Sequence, residues 1–126
     1  MRRFTALLVG LAALGGAATA SAAKPVPASL ALVGTPTFSA EVTFDYTTTA
    51  ELPFVTVECR QAGAVVYQEA HGRWWLHGTD PFIFTLGPTN LWTSGDADCT
   101  ADLREYDAKR RYPYRVLASI TFTTEG

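Results

Sequence analysis

The amino-acid sequence predicts an all-β protein: a single antiparallel β-sandwich of about seven strands, preceded by a signal peptide. Three observations predict it. Apolar and polar residues alternate with period two in segment after segment, with little helical periodicity. Glycines and prolines interrupt those segments at short intervals, as turns do. The first 22 residues have the three-part organisation of an export signal.

The signal comes first in the chain. Met1-Arg2-Arg3 supplies positive charge, and Phe4 to Leu14 follows with Thr5 as its one polar side chain. Small residues from Gly15 to Ala23 complete it. Ala20-Ser21-Ala22 fits cleavage before Ala23, and Ala18-Thr19-Ala20 fits cleavage before Ser21; the first is preferred. A retained anchor would need about 20 strongly apolar residues, whereas the second half here is Ala, Gly, Thr and Ser. The expected product is residues 23–126, one domain, secreted or associated with the cell wall, with no stable membrane insertion after cleavage.

The strands follow in order. Residues 29–33 form a short one ended by Gly34-Thr35-Pro36. In 37–48, Phe38, Ala40, Val42, Phe44 and Tyr46 alternate with polar residues, a long strand buried on one face. Val55, Val57 and Cys59 alternate in 54–60, and Gln61-Ala62-Gly63 reads as a hairpin turn into 64–70, because glycine takes the positive φ such turns require. Phe82 to Leu86 is stopped by Gly87-Pro88, giving a strand over 82–87. Cys99, Ala101 and Leu103 define 97–106. In 113–123, Val116, Ala118, Ile120 and Phe122 are expected on one side.

Cys59 and Cys99 are the two cysteines of the chain. In an exported domain they are expected to pair, and not as a redox C-x-x-C motif. A bridge closing a loop of this length contributes about 4 kcal/mol in the chain-entropy model.

Gly95-Asp96-Ala97-Asp98-Cys99-Thr100-Ala101-Asp102-Leu103 resembles the strand of immunoglobulin-like domains in which an acidic turn leads to the second cysteine. Together with the strand count, this resembles the broad immunoglobulin-like or fibronectin-like superfold. Ala97 stands where that strand carries a tyrosine, and the cysteine spacing is shorter than in antibody domains. The resemblance implies that 54–60 and 97–106 are neighbours in one sheet, with the disulfide bridging them across the strands. In outline the last third is also similar to the small secreted antibiotic carriers of the neocarzinostatin type, which have two disulfides where this chain has cysteines for one. A superfold of this breadth carries no function with it.

Charge and motifs exclude several classes. Losing Arg2 and Arg3 takes the basic residues from 10 to 8 against 12 acidic ones, a net of −4. That balance argues against nucleic acid, whose phosphates need a basic face. Signatures such as G-x-S-x-G, H-E-x-x-H and phosphate-cradling glycine loops are missing, so no enzyme and no cofactor is expected. His71 and His77 would need a third ligand such as Asp80 to hold a metal, and Asp96 and Asp98 lack the further ligands of a calcium loop; no metal is expected. Glu58 and Glu69 fall on opposite arms of the first hairpin.

Two aromatic clusters are the candidate binding residues. Trp74 and Trp75 are adjacent, so in an extended segment they point to opposite faces and one of them is exposed. Lys109-Arg110-Arg111 lies in the turn between the last two strands, with Arg104 and Arg115 nearby and Tyr106, Tyr112 and Tyr114 around it. Arg110, Arg111, Tyr112 and Tyr114, then Trp74 and Trp75, are expected to engage a protein or glycan partner, with the protein acting as a monomer. A secreted hydrolase inhibitor and a structural envelope protein are the competing readings. Preference for Arg over Lys, with many Ala residues, points to a GC-rich bacterial source.

Overall fold

The computed structural model describes residues 26–72, 82–106, 109 and 115–126. Its strands are β1 (Ala28–Val33), β2 (Glu41–Thr48), β3 (Pro53–Gln61), β4 (Ala64–Gly72), β5 (Phe82–Thr85), β6 (Ala97–Glu105) and β7 (Arg115–Thr124). They form a three-stranded sheet in the order β1-β2-β5 and a four-stranded sheet in the order β4-β3-β6-β7, with every strand pair antiparallel. No helix occurs among the described residues. This is the all-β two-sheet architecture that the period-two pattern predicts. The signal peptide lies outside the described residues.

Alternation builds the core. Val55, Val57 and Cys59 of β3 and Ala97, Cys99, Ala101 and Leu103 of β6 are buried from one sheet. Leu30, Val42, Phe44, Phe82 and Phe84 meet them from the other. Edge-to-face packing of Phe44 on Phe84, with centroids 5.6 Å apart, joins β2 to β5 inside this layer.

Cys59 and Cys99 are directly opposed in the β3–β6 ladder, with Cα atoms 4.0 Å apart, and form the disulfide. The bridge is therefore cross-strand within one sheet. Thr124 is fully buried beside it and donates its hydroxyl to Cys99 Sγ at 3.2 Å. One end of the disulfide thus fixes the end of β7.

Two bulges adjust the pattern. Between Cys59 and Arg60 the pairing with β4 slips by one residue, so Val66 and Tyr67 are both buried although adjacent. Between Leu103 and Arg104 the pairing with β7 slips likewise, and Leu117 is the extra residue. The second bulge corrects the reading of the last strand. Val116 lies before the slip and turns out to solvent, 49% exposed, while Leu117 packs against the core with Ala118, Ile120 and Phe122.

The strand expected from residue 37 begins only at Glu41. Ser39 adopts φ 69° and Ala40 N donates to Thr37 O, which makes a turn of the four residues before β2. Phe38 still faces inward, against Trp92 at 5.0 Å, so the alternation placed it on the correct face although it precedes the strand. β5 likewise stops at Thr85, because Gly87 takes φ +81°. The hairpin turn matches its reading, with both Ala62 and Gly63 at positive φ as a two-residue loop demands.

The end of the sandwich holding the hairpin is tightly tied. Phe38 N donates to Glu125 O and Glu125 N to Pro36 O, while Ser39 N donates to Leu86 O. Trp92 is fully buried, its Nε1 donating to Gly95 O at 2.9 Å. Thr89 Oγ1 donates to Val66 O and accepts from Trp92 N, holding that loop against β4.

Two stability predictions follow from these constraints. A Cβ on Gly87 would lie 2.8 Å from the Phe38 ring at a φ that side chains resist, so Gly87→Ala should cost about 2 kcal/mol in urea denaturation. Replacing both cysteines by alanine should remove about 4 kcal/mol, with a similar loss on reducing the unaltered protein.

Candidate functional site

The strand register defines where the candidate residues can be presented. Phe54 of β3 pairs with Gly72 of β4 on one side and Arg104 of β6 on the other. The strand ends at Gly72 and Glu105 therefore share one end of the sheet, two strand spacings or about 10 Å apart. The 49–52 connection reaches the same end, where Tyr106 N donates to Leu52 O at 3.1 Å. Three connections, 49–52, 73–81 and 107–114, thus meet the described strands at the end opposite the hairpin.

Trp74, Trp75, Arg110, Arg111, Tyr112 and Tyr114 lie outside the described residues, as do His77 and Asp80. Of the neighbouring cations, Lys109 is exposed, whereas Arg104 and Arg115 are drawn onto the sheet. Arg115 Nε lies 3.3 Å from Glu105 Oε1 across the β6–β7 ladder.

Arg104 belongs to a network on the outer face of the four-stranded sheet. Its Nη2 donates to Asp102 Oδ2 at 2.8 Å and its Nε to Thr56 Oγ1 at 3.1 Å. Ser119 donates to the other oxygen of Asp102. Farther along the face, Arg60 Nε donates to Glu58 Oε1 at 3.1 Å, and Gln68 reaches the second Glu58 oxygen. Between the two groups runs an open groove of about 560 Å³, lined by Phe54, Thr56, Glu58, Gln68, Thr100 and Asp102 among others. The outward positions of β3, β4 and β6 are polar in the sequence, and the strand order was expected, but neither signal gives the register that sets Thr56 beside Asp102 and Glu58 beside Thr100. The groove was therefore missed.

His71 lies on the inner side of the four-stranded sheet. It sits at the end of β4, opposite buried Val55, with its ring stacked on Phe84 at 4.2 Å. Pairing on the inner side of an edge strand puts the imidazole under β5. Nε2 approaches Glu69 Oε1 at 3.3 Å, and Nδ1 is buried without a hydrogen-bond partner. Glu69 pairs with Val57 while Glu58 pairs with Gln68, so the two glutamates point to opposite faces of the sheet and form no carboxylate pair.

The acidic turn has structural work. Asp96 Oδ1 accepts from Gly126 N at 2.8 Å, and Asp98 Oδ1 from the Thr123 hydroxyl. Gln61 Nε2 donates to the carbonyls of Ser94 and Asp96, joining this turn to the hairpin. Among the described residues no three His, Cys, Asp or Glu side chains converge as metal ligands.

Fold and face together define a disulfide-clamped, two-sheet β-sandwich with one tied end and one end of converging connections. No protein family, curated protein or solved structure matches this chain.

Tyr67 provides a test of the inner face. Its hydroxyl is buried without a partner, and burial, reinforced by the Glu69 carboxylate, pushes the phenol well above its ordinary value of 10.0. The native state keeps this proton where the unfolded chain releases it, so stability is full below pH 10 and falls as pH rises beyond it. Tyr67→Phe should flatten that alkaline decline. At neutral pH the same variant should be as stable as the parent or up to about 1 kcal/mol more so, by removing an unsatisfied polar group. Denaturation midpoints between pH 7 and pH 11 check both.

Proposed function

We propose that this protein is a secreted, non-catalytic interaction module that engages a protein or glycan through the connections at one end of the sandwich. The observation that supports it is topological. The ends of β4 and β6 lie side by side, and from them depart the segments carrying Trp74 and Trp75 and carrying Arg110, Arg111, Tyr112 and Tyr114. Aromatic and arginine side chains supply most of the energy where small domains bind partners, because they bury large areas and form several directed hydrogen bonds. A scaffold whose strand ends are fixed about 10 Å apart limits the ordering cost of binding.

Export fits this use. Met1 to Ala22 reads as the secretion signal, and a disulfide is the bond an oxidising compartment maintains.

Affinity capture from culture supernatant and cell wall, using the secreted protein as bait, tests the proposal. Alanine at Trp74 and Trp75, and separately at Arg110, Arg111, Tyr112 and Tyr114, should each weaken capture of a given partner about tenfold or more. Leu91→Ala, at the tied end, should leave capture unchanged. Partners retained by both alanine sets would sink this reading.

A further inference from the structure

We propose that the outer face of the β4-β3-β6 sheet is a second binding site, and that its ligand is a neutral oligosaccharide. The inference does not rest on the end connections.

The groove floor is made of short side chains. Thr56 pairs across the strands with Ala70 and with Asp102, and Glu58 with Gln68 and with Thr100. Thr56 and Ala70 in one row and Thr100 in the next therefore form a low diagonal, with Phe54, Asp102 and Arg104 on one side of it and Glu58 and Gln68 on the other. Rows two residues apart along a strand are separated by about 7 Å, so the taller groups form two walls.

Those walls are built of planar side chains already held in place. Asp102 is only 17% exposed and fixed by Arg104 and Ser119. Arg104 is fixed in turn by Thr56. Glu58 is held by Arg60, with Gln68 beside it. Carboxylate, guanidinium and amide groups present donors and acceptors in one plane, which suits vicinal hydroxyls. Because neighbours orient them beforehand, less rotamer entropy is lost on binding.

Charge and backbone chemistry narrow the ligand. Glu58 is paired with Arg60 and Asp102 with Arg104, so the groove carries no net charge and has no excess of cations to hold a phosphate or carboxylate polymer. β3 and β6 are each flanked by two strands, so their backbone groups are consumed by the ladders. An extended peptide lying in the groove would find no strand to pair with and would seek the open edge of β4 instead. A neutral polyhydroxyl chain needs only what the face offers: side-chain hydrogen bonds and a floor of methyl groups for its C–H surfaces.

Isothermal titration calorimetry of the secreted protein against chitotetraose, cellotetraose, maltotetraose and xylotetraose tests the assignment. At least one should bind, with an affinity that changes less than about twofold as salt is raised, since no net charge is exchanged. Gln68→Ala and Asp102→Asn should each weaken that binding about tenfold. Thr100→Tyr keeps a strand-forming residue at an outward position and fills the groove, so it should abolish binding while circular dichroism and the melting midpoint stay close to the parent. The proposal is overturned if none of the four sugars binds, or if Thr100→Tyr binds as the parent does. Binding lost in the Trp74 and Arg110 clusters but kept in Thr100→Tyr would also overturn it, while supporting the end surface.

Discussion

The β3–β6 pair is the constraint on which the rest of this structure depends. β3 and β6 are the two inner strands of the larger sheet, and their inward side chains form half of the core. The disulfide between Cys59 and Cys99 joins two directly opposed residues of this pair, which fixes its register. A one-residue slip would turn Val55, Val57, Ala101 and Leu103 to solvent. Through Thr124, the same bridge also holds the last residues of β7.

Fixing that register fixes both surfaces. On the inner side it stacks β3 and β6 beneath Phe44, Phe82 and Phe84. On the outer side it lines up Thr56 with Asp102 and Glu58 with Thr100, from which the groove is made. At the strand ends it brings Gly72 and Arg104 to either side of Phe54, which directs two connections to one end. The opposite end has a different character. Trp92, Phe38 and Gly87 interlock there, and backbone hydrogen bonds join the turn before β2 to the end of β7. One end is committed to stability, while at the other three connections meet the strand ends.

Where alternation ran without interruption, the elements could be read directly. The hairpin around Gly63 and the strands bearing Val55 to Cys59 and Cys99 to Leu103 fall where their patterns put them. The misplacements share one cause. Both are departures from regular pleating: the bulge at Leu117 puts Val116 out of phase with the residues after it, and the positive φ of Ser39 delays the start of β2 without changing which side chains face inward.

By itself the sequence determined the all-β class, the number of strands, the pairing of its two cysteines and the identity of the aromatic and basic clusters, because these depend on local periodicity and composition. Only the tertiary structure decided that the pairing slips at Val66 and Leu117, that Trp92 is a core plug, and that the outer face carries an ordered polar groove. The physical reason is range. Alternation is a property of neighbours along the chain, whereas a groove joins residues such as Gln68 and Thr100, 32 positions apart, that meet only when strands pair.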